Sequence, residues 1–306
     1  MIQHIVPVVE NVLMAERTYR LRVADPHIGR LLRPGQFVML RIPHCTDPLL
    51  GRPFALYDTT LDSSGSVAGY DLVHLVVGKM TTHMSHLKPG DSVEIWGPLG
   101  NGFSLTPTRH LVMVAGGIGQ TPFPAVARAY LGLRQYGEQR SEVRGQKSDY
   151  GDYAHDSPLT NSHSLPARRD SEELTTHLSL CYGVRSASYL AGLDDFRSLG
   201  VEVSISTDDG TAGHKGFVTD LVKRALESRN PPTRLMGCGP EPMMRALAKI
   251  AASASVPCEL SLETPMACGI GACFSCVAKI RQDDDRWDYR RVCVEGPVFD
   301  ASRVIF

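Results

Sequence analysis

The sequence predicts a chain of β plus α/β class in three parts, and three observations predict it. Up to about residue 106, short apolar runs recur between turn signals. From 107 to 257, strand-like and helix-like segments alternate. Residues 258–306 hold four clustered cysteines and few strand-like segments. These patterns suggest an N-terminal barrel or sandwich of short strands, a parallel α/β sheet with helices on both faces and a small C-terminal part built around its cysteines.

In the first part the runs are Phe37–Ile42, Asp71–Val77 and Ser92–Trp96, with turns at Pro34-Gly35, Ser64-Gly65, Pro89-Gly-Asp91 and Gly97-Pro98. The second part opens on a buried strand, His110–Ala115, followed by a glycine turn and a helix over Phe123–Leu133. Further strands read at Leu178–Tyr182, Val201–Ile205 and Arg234–Gly237, with helices over 188–199, 216–228 and 240–253. Such alternation implies a parallel sheet covered on both faces. The stretch 135–177 breaks the pattern. It is rich in Ser, Asp, Arg and Gly and too poor in large aliphatics to build a core, so it reads as a disordered surface insertion. In the third part, Val277–Arg281 and Tyr289–Cys293 read as strands around a hairpin tip at Asp283–Asp285. A part this small depends on a metal centre for stability.

Size and composition bound the function. The chain has 306 residues, 42% hydrophobic and 21% charged, with a formal net charge of −1. That balance supports a packed core and points to neither a nucleic acid nor a membrane surface as partner. No apolar run approaches a membrane span, and the N-terminus lacks a secretory pattern. Eight cysteines are too few for a disulfide scaffold, and their clustering favours a reducing, cytoplasmic setting.

The cysteines are the most specific signal. Cys268, Cys273, Cys276 and Cys293 are spaced C-x4-C-x2-C, then sixteen residues, then C. This is the spacing of plant-type [2Fe–2S] ligation. Gly269 and Gly271 suit a loop that folds around an anionic cluster and turns backbone N–H groups to the sulfurs. A zinc site, a disulfide set or buried thiols are the alternatives, but zinc usually takes two short Cys pairs and only Cys273/Cys276 makes one.

The other motifs are weaker one by one. Ala115-Gly-Gly-Ile-Gly-Gln-Thr-Pro122 and Met236-Gly-Cys-Gly-Pro-Glu241 each follow a strand and open a helix, where a dinucleotide pyrophosphate would lie. Plain tight turns are the alternative. Cys238 suits a place beside a nicotinamide or a small packing position. Asp208 and Asp209 end a third strand. There they would take ribose hydroxyls and repel a 2′-phosphate, favouring NAD over NADP, or form a solvated turn. Arg52, held by Pro53, can pair with a flavin pyrophosphate, and Val76–Thr82 can add N–H groups and hydroxyls; a structural Arg is the alternative. His83 and His86 read as helix-surface residues without further ligands.

Taken in order, Arg52-Pro53, Gly97-Pro-Leu-Gly-Asn-Gly-Phe103, Ala115-Gly-Gly-Ile-Gly, Gly237-Cys-Gly-Pro240 and the four cysteines resemble the ferredoxin–NADP reductase superfamily. More narrowly, Met266–Cys273 and Arg291–Phe299 resemble the cluster signature of electron-transfer subunits of class 1B dihydroorotate dehydrogenase. The resemblance covers the chain except 135–177. It implies an FAD-binding barrel over 1–106, an NAD-binding domain over 107–257 and a [2Fe–2S] domain over 258–306. It carries Arg52, Pro53, Ala55 and Leu56 to the FAD, with Val77, Gly78, Thr81 and Thr82 near its phosphates. It carries Gly116, Gly117, Cys238, Gly239 and Pro240 to NAD. Ala55 stands where related sequences usually have Ser, and Met80 where they usually have Gly. The implied partner is a separate FMN-containing catalytic subunit, in a heterotetramer, whose electrons pass through the cluster and FAD to NAD+ in pyrimidine biosynthesis. Met266, Ile270 and Phe274 form the expected docking face. No catalytic residue is assigned, since nothing in the chain resembles an orotate site. The rivals are an NAD(P)H-dependent ferredoxin or sulfur reductase subunit of the same superfamily, and a non-enzymatic metal-binding interaction or sensor protein.

Overall fold

The computed structural model describes residues 2–137, 176–284 and 286–306. Most of the predicted insertion, and Asp285 of the hairpin tip, lie outside the described residues. Six strands close the first part into a barrel: β1 (Ile2–Ala15), β2 (Thr18–Val23), β3 (Phe37–Arg41), β4 (Arg52–Leu61), β5 (Val67–Leu75) and β6 (Ser92–Leu99), in the order β1-β2-β5-β4-β3-β6. Neighbouring strands are antiparallel. Closure removes the edges that an open sheet would expose. Alternate residues point inward, so Val6, Val8, Leu21, Val23, Val38, Leu40, Leu56, Tyr70, Leu72, Val93 and Ile95 form one core. Two short helices, α1 (Pro26–Gly29) and α2 (Lys79–Ser85), cover the barrel, and Met80 and Met84 of α2 fill its interior.

The second part is a seven-stranded sheet. β7 (His110–Gly116), β8 (His177–Val184), β9 (Glu202–Thr207), β10 (His214–Lys215), β11 (Arg234–Cys238) and β12 (Cys258–Ser261) run parallel, in the order β10-β9-β8-β7-β11-β12. β7 is buried along its whole length, which explains its unbroken apolar run. Helices α3 (Phe123–Tyr130), α4 (Leu193–Ser198), α5 (Val218–Leu226) and α6 (Glu241–Ala254) connect the strands. α4 is shorter than the 188–199 pattern predicts, because a separate 3-10 turn takes up Ala187–Tyr189.

In the third part β13 (Val277–Arg281), β14 (Trp287–Arg291) and β16 (Val304–Ile305) form a small sheet, whereas β15 (Val298–Asp300) joins the large one. β15 pairs antiparallel with β12, and β12 pairs parallel with β11. The boundary drawn at 258 therefore runs through the nucleotide-domain sheet, and the cysteine segment is an excursion between two of its strands. Four- and three-residue strands carry too little pattern to announce their sheet. The strand expected over Tyr289–Cys293 sits two residues earlier, so that Cys293 lies in the turn beyond it.

The barrel and the large sheet are joined by polar contacts. Tyr57 on β4 donates to the Asp195 carboxylate of α4 at 2.5 Å, and Arg128 of α3 meets Asp58 at 2.7 Å. Burial, with the Asp195 charge beside it, holds the Tyr57 hydroxyl protonated well above the usual tyrosine range. No helix among the described residues is long and apolar enough to cross a membrane.

Candidate cofactor and metal-cluster site

The cysteine loop is shaped by its glycines. Gly269 and Gly271 take φ of +74° and +81°, values that side-chain-bearing residues rarely adopt. The turns they make direct the Ile270 N–H at the Cys268 sulfur, 3.4 Å away, and bring the Gly271 N–H to the Cys293 sulfur. Strand register does the rest. Val277 pairs with Arg291 in the β13–β14 hairpin, and the Val292 N–H donates to the Cys276 carbonyl at 2.8 Å. That register sets Cys276, just before β13, beside Cys293, just after β14.

The four thiols consequently fall into two pairs. Cys268 contacts Cys273 near the surface, and Cys276 contacts Cys293 in a buried position. Among the described residues no three His, Cys, Asp or Glu side chains gather as ligands of a single ion. Two pairs of thiols are the donor set of a two-iron cluster, which takes four cysteines in all, and these residues fit that group. The pairs differ in acidity. Hydrogen bonds from Ser275 and from Cys268 lower the Cys273 thiol to about 6, whereas burial, with Cys276 alongside, pushes Cys293 up to about 12. Within the four-thiol set Cys273 is therefore more acidic than Cys293. Of the expected docking face, Ile270 and Phe274 are 47% and 62% exposed. Met266 is core, packed with Cys276 and Cys293. Its place is taken by Val294, which is also exposed and packs beside Gly271.

The candidate flavin residues lie on β4 and at the start of α2. Arg52 is exposed, with its guanidinium resting on the carbonyls of Leu50 and Gly51 at 3.0 Å. Pro53 and Ala55 are half-buried on the outer face of β4, whereas Leu56 points into the barrel core, leaving only its backbone to face a ligand. Val77 and Gly78 are exposed, but their N–H groups donate to the Thr81 hydroxyl at 2.9 and 3.1 Å. Thr81 thus caps the helix and has no free hydroxyl for a phosphate; the exposed Thr82 side chain remains. Met80, in the place of a glycine, puts its side chain into the barrel core and leaves the loop surface open.

Sequence reasoning missed His74. It is 2% exposed, stacked on Tyr19 and edge-on to Phe54, with the backbone of Thr81 close by. Neither ring nitrogen has a hydrogen-bond partner among the described residues. Burial lowers it to about 4, so the ring is neutral, with one nitrogen to donate and one to accept. A buried polar group without a partner, beside the Arg52–Tyr57 strand, fits a polar ring system bound there. A histidine inside a strand carries no local signal for this.

The glycine turns after β7 and β11 interlock. A Cβ on Gly116 would lie 2.7 Å from Pro240 and Met243, and one on Gly239 would lie 2.9 Å from Gly116. Gly116, Gly117, Cys238, Gly239 and Pro240 therefore form one surface at the C-terminal edge of the sheet, where α/β folds bind dinucleotides. Cys238 is half-buried, and burial with Glu263 nearby raises its thiol to about 12, so it stays protonated. Asp208 and Asp209 sit exposed on the same edge after β9. Asp209 accepts from the Thr211 hydroxyl and N–H, which hold its carboxyl below the usual carboxylate range, while the Asp208 carboxylate bonds none of the described residues. Phe217, 72% exposed at the start of α5, presents a phenyl ring on that edge and was not singled out from sequence. An exposed aromatic after Gly216 was the available clue.

Comparison with known proteins decides the family. Residues 263–305 match the model of the iron–sulfur cluster binding domain of dihydroorotate dehydrogenase B, and residues 5–103 match the oxidoreductase FAD-binding domain. The chain is 35% identical over 295 residues to the dihydroorotate dehydrogenase B (NAD(+)) electron transfer subunit of Desulforamulus reducens, covering 96% of this chain and 95% of that one. The chain belongs to this family. Its counterpart from Caldanaerobacter subterraneus subsp. tengcongensis is 32% identical over 95% of this chain and 92% of its own. Among solved structures, an NADH-dependent reduced ferredoxin–NADP oxidoreductase described for flavin-based electron bifurcation aligns with a TM-score of 0.74 at 24% identity, over 98% of this chain and 89% of that one. The cytochrome b5 reductase domain of Ulva prolifera nitrate reductase aligns at 0.55, with 18% identity. Both show the shared fold, and membership of the dihydroorotate dehydrogenase B family accounts for the cysteine segment that follows it.

Proposed function

We propose that this chain is the electron transfer subunit of a dihydroorotate dehydrogenase B, delivering to NAD+ the electrons that a separate FMN-containing catalytic subunit takes from dihydroorotate. The observation that carries the reading is the packing of the cysteine loop on the barrel face that displays Pro53 and Ala55. Pro53 pairs with Met39 and Met39 with Trp96 in one cross-strand row; Ala55, Phe37 and Leu99 form the next. Gly269 of the loop packs against Met39 and Leu99 of those rows. The flavin strand and the first cluster ligand thus share one interface. When bound, FAD and the [2Fe–2S] cluster supply the exchange between one- and two-electron transfer.

The chain's own residues position and select. Arg52 is the charge that meets the FAD pyrophosphate. The interlocked glycine turns admit the NAD pyrophosphate to the sheet edge, and the Asp208 carboxylate favours a free ribose over a 2′-phosphate. Ile270, Phe274 and Val294 surround the exposed end of the loop as the docking face for the catalytic subunit. The setting is cytoplasmic, where thiols are kept reduced.

Reconstitution tests the whole. Mixed with the catalytic subunit from the same source, the chain should reduce NAD+ with dihydroorotate, and neither chain alone should. NADP+ should be the poorer acceptor. Activity with ferredoxin or sulfur, and none with any such subunit, would place the chain elsewhere in the superfamily. Arg52→Ala should weaken FAD binding about ten- to hundredfold, the loss expected for one charge-assisted contact. Unchanged FAD retention on gel filtration would remove Arg52 from the site.

A further inference from the structure

We propose that Trp96 is a positioning residue that clamps the first cluster ligand to the flavin strand and thereby tunes the cluster's reduction potential; the inference rests on the function proposed above. Trp96 is on β6, partly buried between barrel and cysteine loop. Its indole Nε1–H donates to the Cys268 carbonyl at 2.9 Å. The far edge of the same ring lies on Gly51, the residue before Arg52: a Cβ there would be 2.5 Å from the indole Cη2. One rigid side chain therefore touches both the approach to the flavin motif and a cluster ligand, residues more than two hundred positions apart in sequence.

The contact is chemically specific. The carbonyl that Trp96 holds belongs to the peptide leading into Gly269, and the next N–H, that of Ile270, donates to the Cys268 sulfur. That peptide is joined to the one carrying the Ile270 N–H through Gly269 alone, so a displacement of the Cys268 carbonyl is passed to the donor on the sulfur. Hydrogen bonds around a cluster's ligands stabilise the extra negative charge of its reduced form, so they raise its potential. Between cluster and flavin a single electron moves and no bond forms or breaks. The indole is neither oxidised nor reduced; it holds the geometry.

Trp96→Phe keeps an aromatic ring in the interface and removes the donor, while Trp96→Leu removes both. On the purified holoprotein, EPR-monitored redox titration should give a more negative cluster potential in Trp96→Phe. Iron loss to a chelator should be about two- to tenfold faster, as expected for one neutral hydrogen bond. Trp96→Leu should show larger changes in both and a slower passage of electrons between photoreduced flavin and cluster. A Trp96→Phe protein that folds with full FAD and iron yet keeps the wild-type potential and chelation rate would overturn the proposal. A wild-type protein that carries both groups but fails with the catalytic subunit would defeat the function reading instead, and the titration would still decide the role of Trp96.

Discussion

Cys276→Ser should abolish the cluster: iron falls from about two per chain, the content of a [2Fe–2S] protein, to near zero. The residue is 1% exposed and paired with Cys293, so a serine there leaves one iron with a single thiolate and a hydroxyl buried among sulfurs. The damage should spread beyond the loop. The Cys276 backbone ties β13 to the turn that carries Cys293, and the whole segment hangs between β12 and β15 of the large sheet. Metal binding and folding are coupled in a part this small. Limited proteolysis should therefore cut the cysteine segment first, while FAD stays bound, since the barrel has a core of its own. Cys45→Ser, at a half-buried cysteine of the barrel, should leave iron unchanged. Wild-type iron in Cys276→Ser, or stoichiometric zinc in anaerobically purified wild type, would dispose of the cluster assignment.

Gly119→Ala should raise the KM for NADH by about ten- to a hundredfold, the range that 1–3 kcal/mol of overpacking implies. The added Cβ would collide with the Cys238 carbonyl, 2.5 Å from its carbon and 2.8 Å from the Gly239 nitrogen. These are backbone atoms, so no side chain can swing aside. The turn after β11 must separate from the turn after β7, and the surface shared by Gly116, Gly117, Gly239 and Pro240 opens. Iron content should not change, because the cysteine loop is held by the β13–β14 hairpin and by the barrel face around Met39 and Leu99. Diaphorase kinetics with a dye acceptor measure the effect, and an unaltered KM would show that NADH binds elsewhere.

Much of this was legible before any coordinates. The cysteine spacing, the left-handed glycines between the first two cysteines and the glycine turns after His110–Ala115 and Arg234–Gly237 are local features, carried by residues within a few positions of one another. The strand–helix alternation was readable for the same reason. Less legible were residues whose role depends on a neighbour far along the chain. Thr81 looked like a phosphate ligand, yet its hydroxyl is taken by the N–H groups of Val77 and Gly78. Met266 looked like surface and is core, while His74 looked like any strand residue and is buried without a partner among the described residues.

By itself, the sequence determined the fold class and singled out the four spaced cysteines, because periodicity, turn chemistry and cysteine spacing are properties of short stretches of chain; the ordered motifs carried the resemblance to the family. Only the tertiary structure decided that Cys276 pairs with Cys293, that β12 and β15 belong to the large parallel sheet, and that the cysteine loop rests on the barrel face formed by Met39 of β3 and Trp96 and Leu99 of β6. Those outcomes are set by strand register and by the packing of surfaces distant in sequence, and each depends on the shape of both partners at once.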